Sequence, residues 1–373
     1  MTHLQIAADA DMWQQVQVGR PLPFNIRDAD RTLLLATGQL ITSEAQLQAL
    51  RDRGALTDSA SARARVDEAR PEQLPELWAE CMDGVAAALR ASEQAHFRAA
   101  LDDAAEPVLA LIERDPDLAI FQVLRQNPDD NVRYGVTHSV HASITTHLVA
   151  QRLRWSPGQT LTAFKAALTM NIAMVELQGR LATQVSALTP LQRATIREHP
   201  MRGVEMLQAA GIADRDWLDG VAQHHEAPDG SGYPLRLRDI GEIASLLRRV
   251  DIYTAKLSGR STRGALAANQ AGREIFMQDP TDPMNNALVK EFGIYPPGCC
   301  VRLASGETGI VVKRGPSANT PIVASLRDAS GRTLAEPVRR DSSRPGFQVV
   351  DTLLEQDLHI RISPEKLVML ACA

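Results

Sequence analysis

The sequence is short of several things, and each shortage excludes a class of protein. No apolar signal core opens the chain, and no stretch is long and apolar enough to cross a bilayer, so membrane insertion is not expected. Its formal net charge of −5 provides no global basic field, which argues against a partner that is a nucleic-acid polymer. The four cysteines, Cys81, Cys299, Cys300 and Cys372, have no zinc-binding spacing. Cys299 and Cys300 are adjacent, which suits neither an ordinary disulfide nor a Cys-x-x-Cys redox pair, so reduced thiols in a cytoplasmic protein are expected. Aromatic residues make up only 4%, while Ala, Leu and Arg are abundant, and this balance favours helices. What the chain has is size: 373 residues, 44% of them hydrophobic, enough for a large core and two or three domains.

The most informative stretch is His224-His225-Glu226-Ala227-Pro228-Asp229-Gly230-Ser231-Gly232-Tyr233-Pro234. A helix precedes it, with Trp217, Leu218 and Val221 on one face. His224 and His225 fall on or beside that buried stripe, where an imidazole needs a partner. Asp229-Gly230 and Ser231-Gly232 then break the helix with residues able to take positive φ. Paired histidines at a helix end, running into a loop of this shape, favour a site over ordinary core histidines.

At these residues the chain resembles the HD-GYP family, whose signature is His-His-Glu-x-x-Asp-Gly-x-Gly-Tyr-Pro. The resemblance covers roughly residues 130–275 and, more loosely, extends to about 310. It implies a helical domain of the HD metal-dependent phosphohydrolase type that acts on cyclic di-GMP. Five metal ligands are implied: His138 on a long helix, His199 in Glu198-His199-Pro200, His224, His225, and Asp251 in Asp251-Ile252-Tyr253. Gly232, Tyr233 and Pro234 in the loop, with Arg260 and Arg263, are implied ligand-binding residues, although Thr262 replaces the usual tyrosine.

The resemblance also breaks at an important place. Where the family has Leu-His-Asp-Ile-Gly-Lys, this chain reads Thr169-Met170-Asn171-Ile172-Ala173-Met174. Met170 replaces the histidine, Asn171 the metal-bridging aspartate and Met174 the lysine. No His-Asp pair occurs anywhere in the chain, so no change of register recovers one. An amide oxygen is neutral, and a thioether is too soft for Fe or Mn. A divalent metal (Fe, Mn or Zn) is therefore expected at reduced occupancy.

Three readings follow: a cyclic di-GMP signalling protein with reduced or lost phosphodiesterase activity, an active phosphodiesterase with a variant metal site, or a structural interaction module without a ligand. Cyclic di-GMP or a related phosphate ligand is the expected partner, with protein partners also open. The basic residues Arg236, Arg238, Arg248, Arg249, Lys256, Arg260 and Arg263 favour a phosphate ligand, or else form a solvated charged surface.

The expected architecture is mainly α. Residues 1–57 read as a small α/β module, either a sensing or docking element or a structural appendage. Residues 58–105 read as a linker and helix, 106–280 as the HD-GYP-like helical domain, and 290–373 as a β-rich module. Ser43-Glu44-Ala45-Gln46 and Thr189-Pro190-Leu191-Gln192 are capping boxes, and Ser156-Pro157 and Asp115-Pro116 also open helices. Of the further histidines on the helix of His138, His141 and His147 can be simple polar positions, and His147 is read as one.

Overall fold

A computed structural model describes residues 16–22, 26–27, 33–36, 38–52, 56–94, 97–125, 133–259, 264–353 and 364–372. Among the described residues the first elements are β1 (Ile26–Arg27), β2 (Leu33–Leu35), α1 (Glu44–Asp52) and β3 (Leu56–Thr57). Helices follow: α2 (Asp58–Glu68), α3 (Leu74–Arg90), α4 (Phe97–Arg114), α5 (Pro116–Leu124), α6 (Tyr134–Arg152) and α7 (Pro157–Thr169). A 3-10 turn, Ile172–Met174, leads to α8 (Val175–Thr183), α9 (Pro190–Ala209), α10 (Arg215–Gln223), α11 (Glu242–Leu257), α12 (Ala268–Gln278) and α13 (Pro283–Phe292). The chain then forms β4 (Cys300–Leu303), β5 (Thr308–Lys313), β6 (Ile322–Arg327), β7 (Thr333–Asp341) and β8 (Val349–Leu353), and ends in α14 (Pro364–Cys372). The fold is thus mainly helical, with a small N-terminal segment and a C-terminal antiparallel sheet. Among the described residues, no helix is long and apolar enough to cross a membrane.

Local sequence sets the helix starts. Gln159 and Gln192 donate their backbone N–H groups to Ser156 and Thr189, and their side chains accept from the capping residues' own N–H groups. Asp115 Oδ1 accepts from the N–H of Leu118, with Pro116 at the first helical position. The long helix stops at Arg152, because Arg154 turns left-handed (φ 62°) and Trp155 N–H closes back onto Ala150 O. The stretch read as a linker is in part α2, whose Arg63 reaches Glu106 and Glu113 on α4 at 2.6 and 2.8 Å. Its Ala and Arg content favours a helix over a flexible tether.

Helix α6 is the spine of the molecule. It is buried along almost its whole length, and α7, α8, α11, α5 and α3 pack around it. No apolar stripe runs along it, because every side faces protein. His147 is therefore not the simple polar position read from the sequence. It is buried and edge-on to Phe164, and neither ring nitrogen has a partner.

One continuous core links the helices to the inner face of the sheet, formed by Cys300, Ile310, Val312, Ile322, Ala324 and Leu326. Alternation along the strands sends Val301, Leu303, Val311 and Val323 to the opposite face, where Phe347 and Tyr295 cover them. The strand order β7-β6-β5-β4-β8 is antiparallel throughout. A separate small core of Leu22, Ile26, Ile41, Leu47 and Leu50 supports the N-terminal segment.

Charge also fastens the sheet to the helices. Arg314, just after β5, pairs with Asp117 on α5 and with Glu291 on α13 at 2.7 Å, and Glu291 also pairs with Arg152 on α6. Glu291 is only 7% exposed, so its neutralisation would leave two arginines short of a partner. Glu291→Gln is expected to destabilise the fold by on the order of 2 kcal/mol, measured as a lower denaturant midpoint.

Candidate metal centre

Four segments bring the histidines together. Helix α9 presents His199, the end of α10 presents His224 and His225, α6 presents His138, and α11 presents Asp251. The ligand atoms of His199, His224 and His225 all lie within 4.8 Å of one another, a grouping able to hold a metal ion. His138 Nε2 lies 2.8 Å from Asp251 Oδ1. The charges of Asp251 and His138 are felt at His224 and His225, so the pair adjoins the cluster.

Hydrogen bonding fixes the tautomers of two members. His199 Nδ1–H donates to Ile196 O at 2.6 Å, and His224 Nδ1–H donates to Val221 O at 2.7 Å. Each Nε2 is then a bare acceptor, and the two face each other at 3.1 Å. A proton between them would require an imidazolium. Burial first, then neighbouring histidines, pushes His199 down to about 4 and both His224 and His225 down to about 3. At neutral pH two lone pairs therefore oppose each other in a dry site, an arrangement that a cation resolves.

Asp251 feels opposing influences. Burial would raise its carboxyl, but the hydrogen bond and charge of His138, then the charges of His225 and His224, hold it well below the usual carboxylate range. It is an anion beside the imidazoles. His138 Nδ1 is buried with no partner among the described residues, and its ring stacks on Tyr134. One turn further along, His141 is also buried, with an unpartnered Nδ1, and burial pushes it down to about 3.

The segment between α7 and α8 faces the same region. Met170 O lies 3.9 Å from where a β-carbon on Gly203 would stand, and Gly203 is one turn beyond His199 on α9. Met170 and Asn171 are fully buried, and Met174 is half-buried. Neither the Oδ1 nor the Nδ2 of Asn171 has a partner among the described residues. The backbone passes at Asn171 into the 3-10 turn Ile172–Met174.

The Tyr-Pro loop folds back over His225. Tyr233 stacks on the His225 ring, with centroids 4.5 Å apart, and its N–H donates to His225 O. Gly230 has φ +78°. Gly232 needs its missing side chain for room, since a β-carbon there would lie 2.5 Å from both Ala227 N and Glu226 Cα. Pro234 follows a cis peptide. Arg260 and Arg263, together with Thr262, lie outside the described residues.

Comparison with known proteins matches residues 126–279 to the HD domain family. Over 237 residues the chain is 31% identical to cyclic di-GMP phosphodiesterase PA4108 of Pseudomonas aeruginosa, covering 62% of this chain and 56% of that protein. Over 132 residues it is 33% identical to a probable cyclic di-GMP phosphodiesterase of Vibrio cholerae, covering 33% of this chain and 30% of that one. The chain thus spans little more than half the length of the first relative and less than a third of the second. Its fold matches Bd1817, an HDG"Y"P protein from Bdellovibrio bacteriovorus, with TM-score 0.50 and 16% identity, over 74% of this chain and 96% of that one. Residues 126–279 form an HD domain, similar in sequence to cyclic di-GMP phosphodiesterases and in fold to an HDG"Y"P protein.

Sequence reasoning gave one residue of this HD-GYP loop no role. Glu226 is fully buried, and its carboxylate accepts from the N–H groups of Leu235 (2.6 Å), Arg236 (3.1 Å) and Leu237 (2.9 Å). It thereby holds Arg236 in a left-handed conformation, φ 60°, that a non-glycine residue adopts at a cost. A lone acidic residue following two histidines was the available signal. Its distant backbone partners gave none.

Two expectations follow from this geometry. Gly232→Ala should cost about 1–3 kcal/mol and disturb the loop, because backbone rather than a yielding side chain blocks the β-carbon. Gly272→Ala on α12, where a β-carbon would meet only Val289 Cγ2 at 3.9 Å, should be neutral or stabilising. Paired thermal melts check this, and equal losses would rule out a sterically shaped loop. The second expectation concerns pH. The folded histidines titrate near 3–4, below the ordinary 6.5, so an unfolded chain takes up protons that the folded chain refuses. Stability of the metal-free protein should be complete above about 6.5 and fall progressively toward about 4. Melting temperature against pH measures it, and a His199→Gln, His224→Gln variant should show a shallower decline.

Proposed function

We propose that this chain is a cytoplasmic cyclic di-GMP signalling protein whose HD-GYP domain binds a divalent metal and the nucleotide but hydrolyses it poorly. One contrast carries this reading: His199, His224 and His225 cluster, while the positions expected to supply the His-Asp pair hold an apolar Met170 and a neutral Asn171 without a side-chain partner among the described residues. His199, His224 and His225, with Asp251 and His138, would hold the metal, and a set rich in imidazole suits Zn or Fe. When bound, the metal would supply Lewis-acid polarisation of a phosphate ester. Asn171 offers no negative charge to hold a second cation beside the first, and Met170 offers only a thioether. The two named phosphodiesterases support cyclic di-GMP as the ligand. Tyr233, stacked on His225 and bonded through its N–H to His225 O, adjoins the imidazoles.

Metal analysis and nucleotide titration on one sample test the proposal. The purified protein should carry about one metal per chain, bind cyclic di-GMP and turn it over slowly. Met170→His with Asn171→Asp should raise the metal content toward two per chain and increase turnover, compared on folded protein because the new carboxylate without metal buries a charge. Rapid, metal-dependent turnover by the unaltered chain, abolished by His199→Ala, would establish a variant enzyme instead. Failure to bind either metal or nucleotide would leave a structural interaction module.

A further inference from the structure

Arg248 and Arg249 are neighbours on α11 with opposite fates. Arg249 is fully engaged: it bonds Asp282 in a salt bridge, Asn285 Oδ1 at 3.1 Å and Ser245 O at 2.7 Å. It is a structural tie to α13. Arg248 is half-buried and makes no hydrogen bond or ion pair among the described residues. It stands one turn before Asp251 on the same helix, which places it on the side of α11 that faces the centre. Its charge is felt at three groups there: it helps depress His225, opposes the rise of Tyr233 and helps lower Asp229. A guanidinium partly removed from water and making no direct ion pair among the described residues carries a desolvation cost that is only partly returned. A bound anion would supply the remainder.

We propose that Arg248 is the phosphate anchor of this site, a cation contributed by α11 to a domain in which Met174 replaces the lysine of the HD-GYP pattern. The inference rests on the reading of the domain as a phosphodiester-binding site and adds to it which residue grips the phosphate. The guanidinium fork matches the two non-bridging oxygens of a phosphodiester, which a lysine's point charge does not. Position 174 holds a half-buried methionine without charge. Of the other described cations near this loop, Arg236 and Arg238 are exposed to water, where Arg248 is half-buried. Lys256 is paired with Glu274, and the Arg238 side chain packs against Gly230.

The test uses the full-length, metal-loaded protein and two probes, cyclic di-GMP and inorganic phosphate. Arg248→Gln should weaken binding of both by roughly tenfold to a hundredfold, the range of a lost charge-assisted bidentate contact. Arg248→Lys should recover part of the loss, and the salt dependence of binding should flatten in Arg248→Gln. Metal content and melting temperature should remain at wild-type values, since Arg248 holds no other part of the protein. Unchanged affinity of Arg248→Gln for both probes overturns the proposal while leaving the cyclic di-GMP reading intact. Wild-type protein that binds phosphate through Arg248 but ignores cyclic di-GMP keeps the anchor and removes that nucleotide as the ligand. Wild-type protein that binds neither probe overturns both.

Discussion

Two imidazole nitrogens that face each other at 3.1 Å with no proton between them set the terms for the rest of this structure. Each is fixed by a hydrogen bond from its other nitrogen to a carbonyl one turn back in its own helix, Ile196 O on α9 and Val221 O on α10. The fold thus commits both rings to the tautomer that leaves Nε2 bare, and burial keeps them neutral. Such an electron-rich point in a dry interior is unfavourable as it stands. The helices hold it against that cost, and the geometry makes sense when a cation completes it.

The spine helix makes this possible. Because α6 is buried on every side, it can carry His138 and His141 into the middle of the domain, where a surface helix would have turned them to water. Serine and threonine along it return hydroxyls to the helix's own carbonyls, as Ser143 does to Val140 O and Thr145 to His141 O, so their burial leaves fewer polar groups unpaired. His138 then reaches across to Asp251 on α11, and α11 in turn carries Arg248 and Arg249. The same helix bears an anion, a cation with no ion pair among the described residues and a structural cation, all within four residues. Their different roles follow from which neighbour each one faces.

What could be read in the sequence is what local chemistry decides. The caps at Ser156, Thr189 and Asp115 were legible because donor, acceptor and proline lie within four residues of one another. The Tyr-Pro loop was legible because its glycines, Gly230 for its φ and Gly232 for its clearance, have local reasons to be there. Tertiary choices were not legible. The Ala- and Arg-rich stretch read as a linker is in part a helix docked by Arg63. Glu226 gave no sign that it would clamp three backbone N–H groups nine to eleven residues ahead. Nothing local distinguishes Arg248 from Arg249. A helix separates adjacent residues by roughly 100°, and only the packing decides which of them meets Asp282.

The two altered positions have settled differently, and the difference bears on what the site still does. Met170 has joined the core: it is apolar, fully buried and part of the continuous hydrophobic cluster. A position drifting free of function would be expected to end this way, since an apolar side chain in a dry place satisfies packing without leaving polar atoms stranded. Asn171 has not followed. It keeps a polar amide with both heteroatoms buried and unpaired among the described residues, a cost of about 1–3 kcal/mol that leucine or methionine would avoid. The imidazoles of His199, His224 and His225 stay clustered at a similar disadvantage. Asn171 has no internal partner among the described residues, and the bare Nε2 atoms of His199 and His224 face only each other. An ion at the imidazoles and a polar ligand within reach of the Asn171 amide are what their chemistry admits.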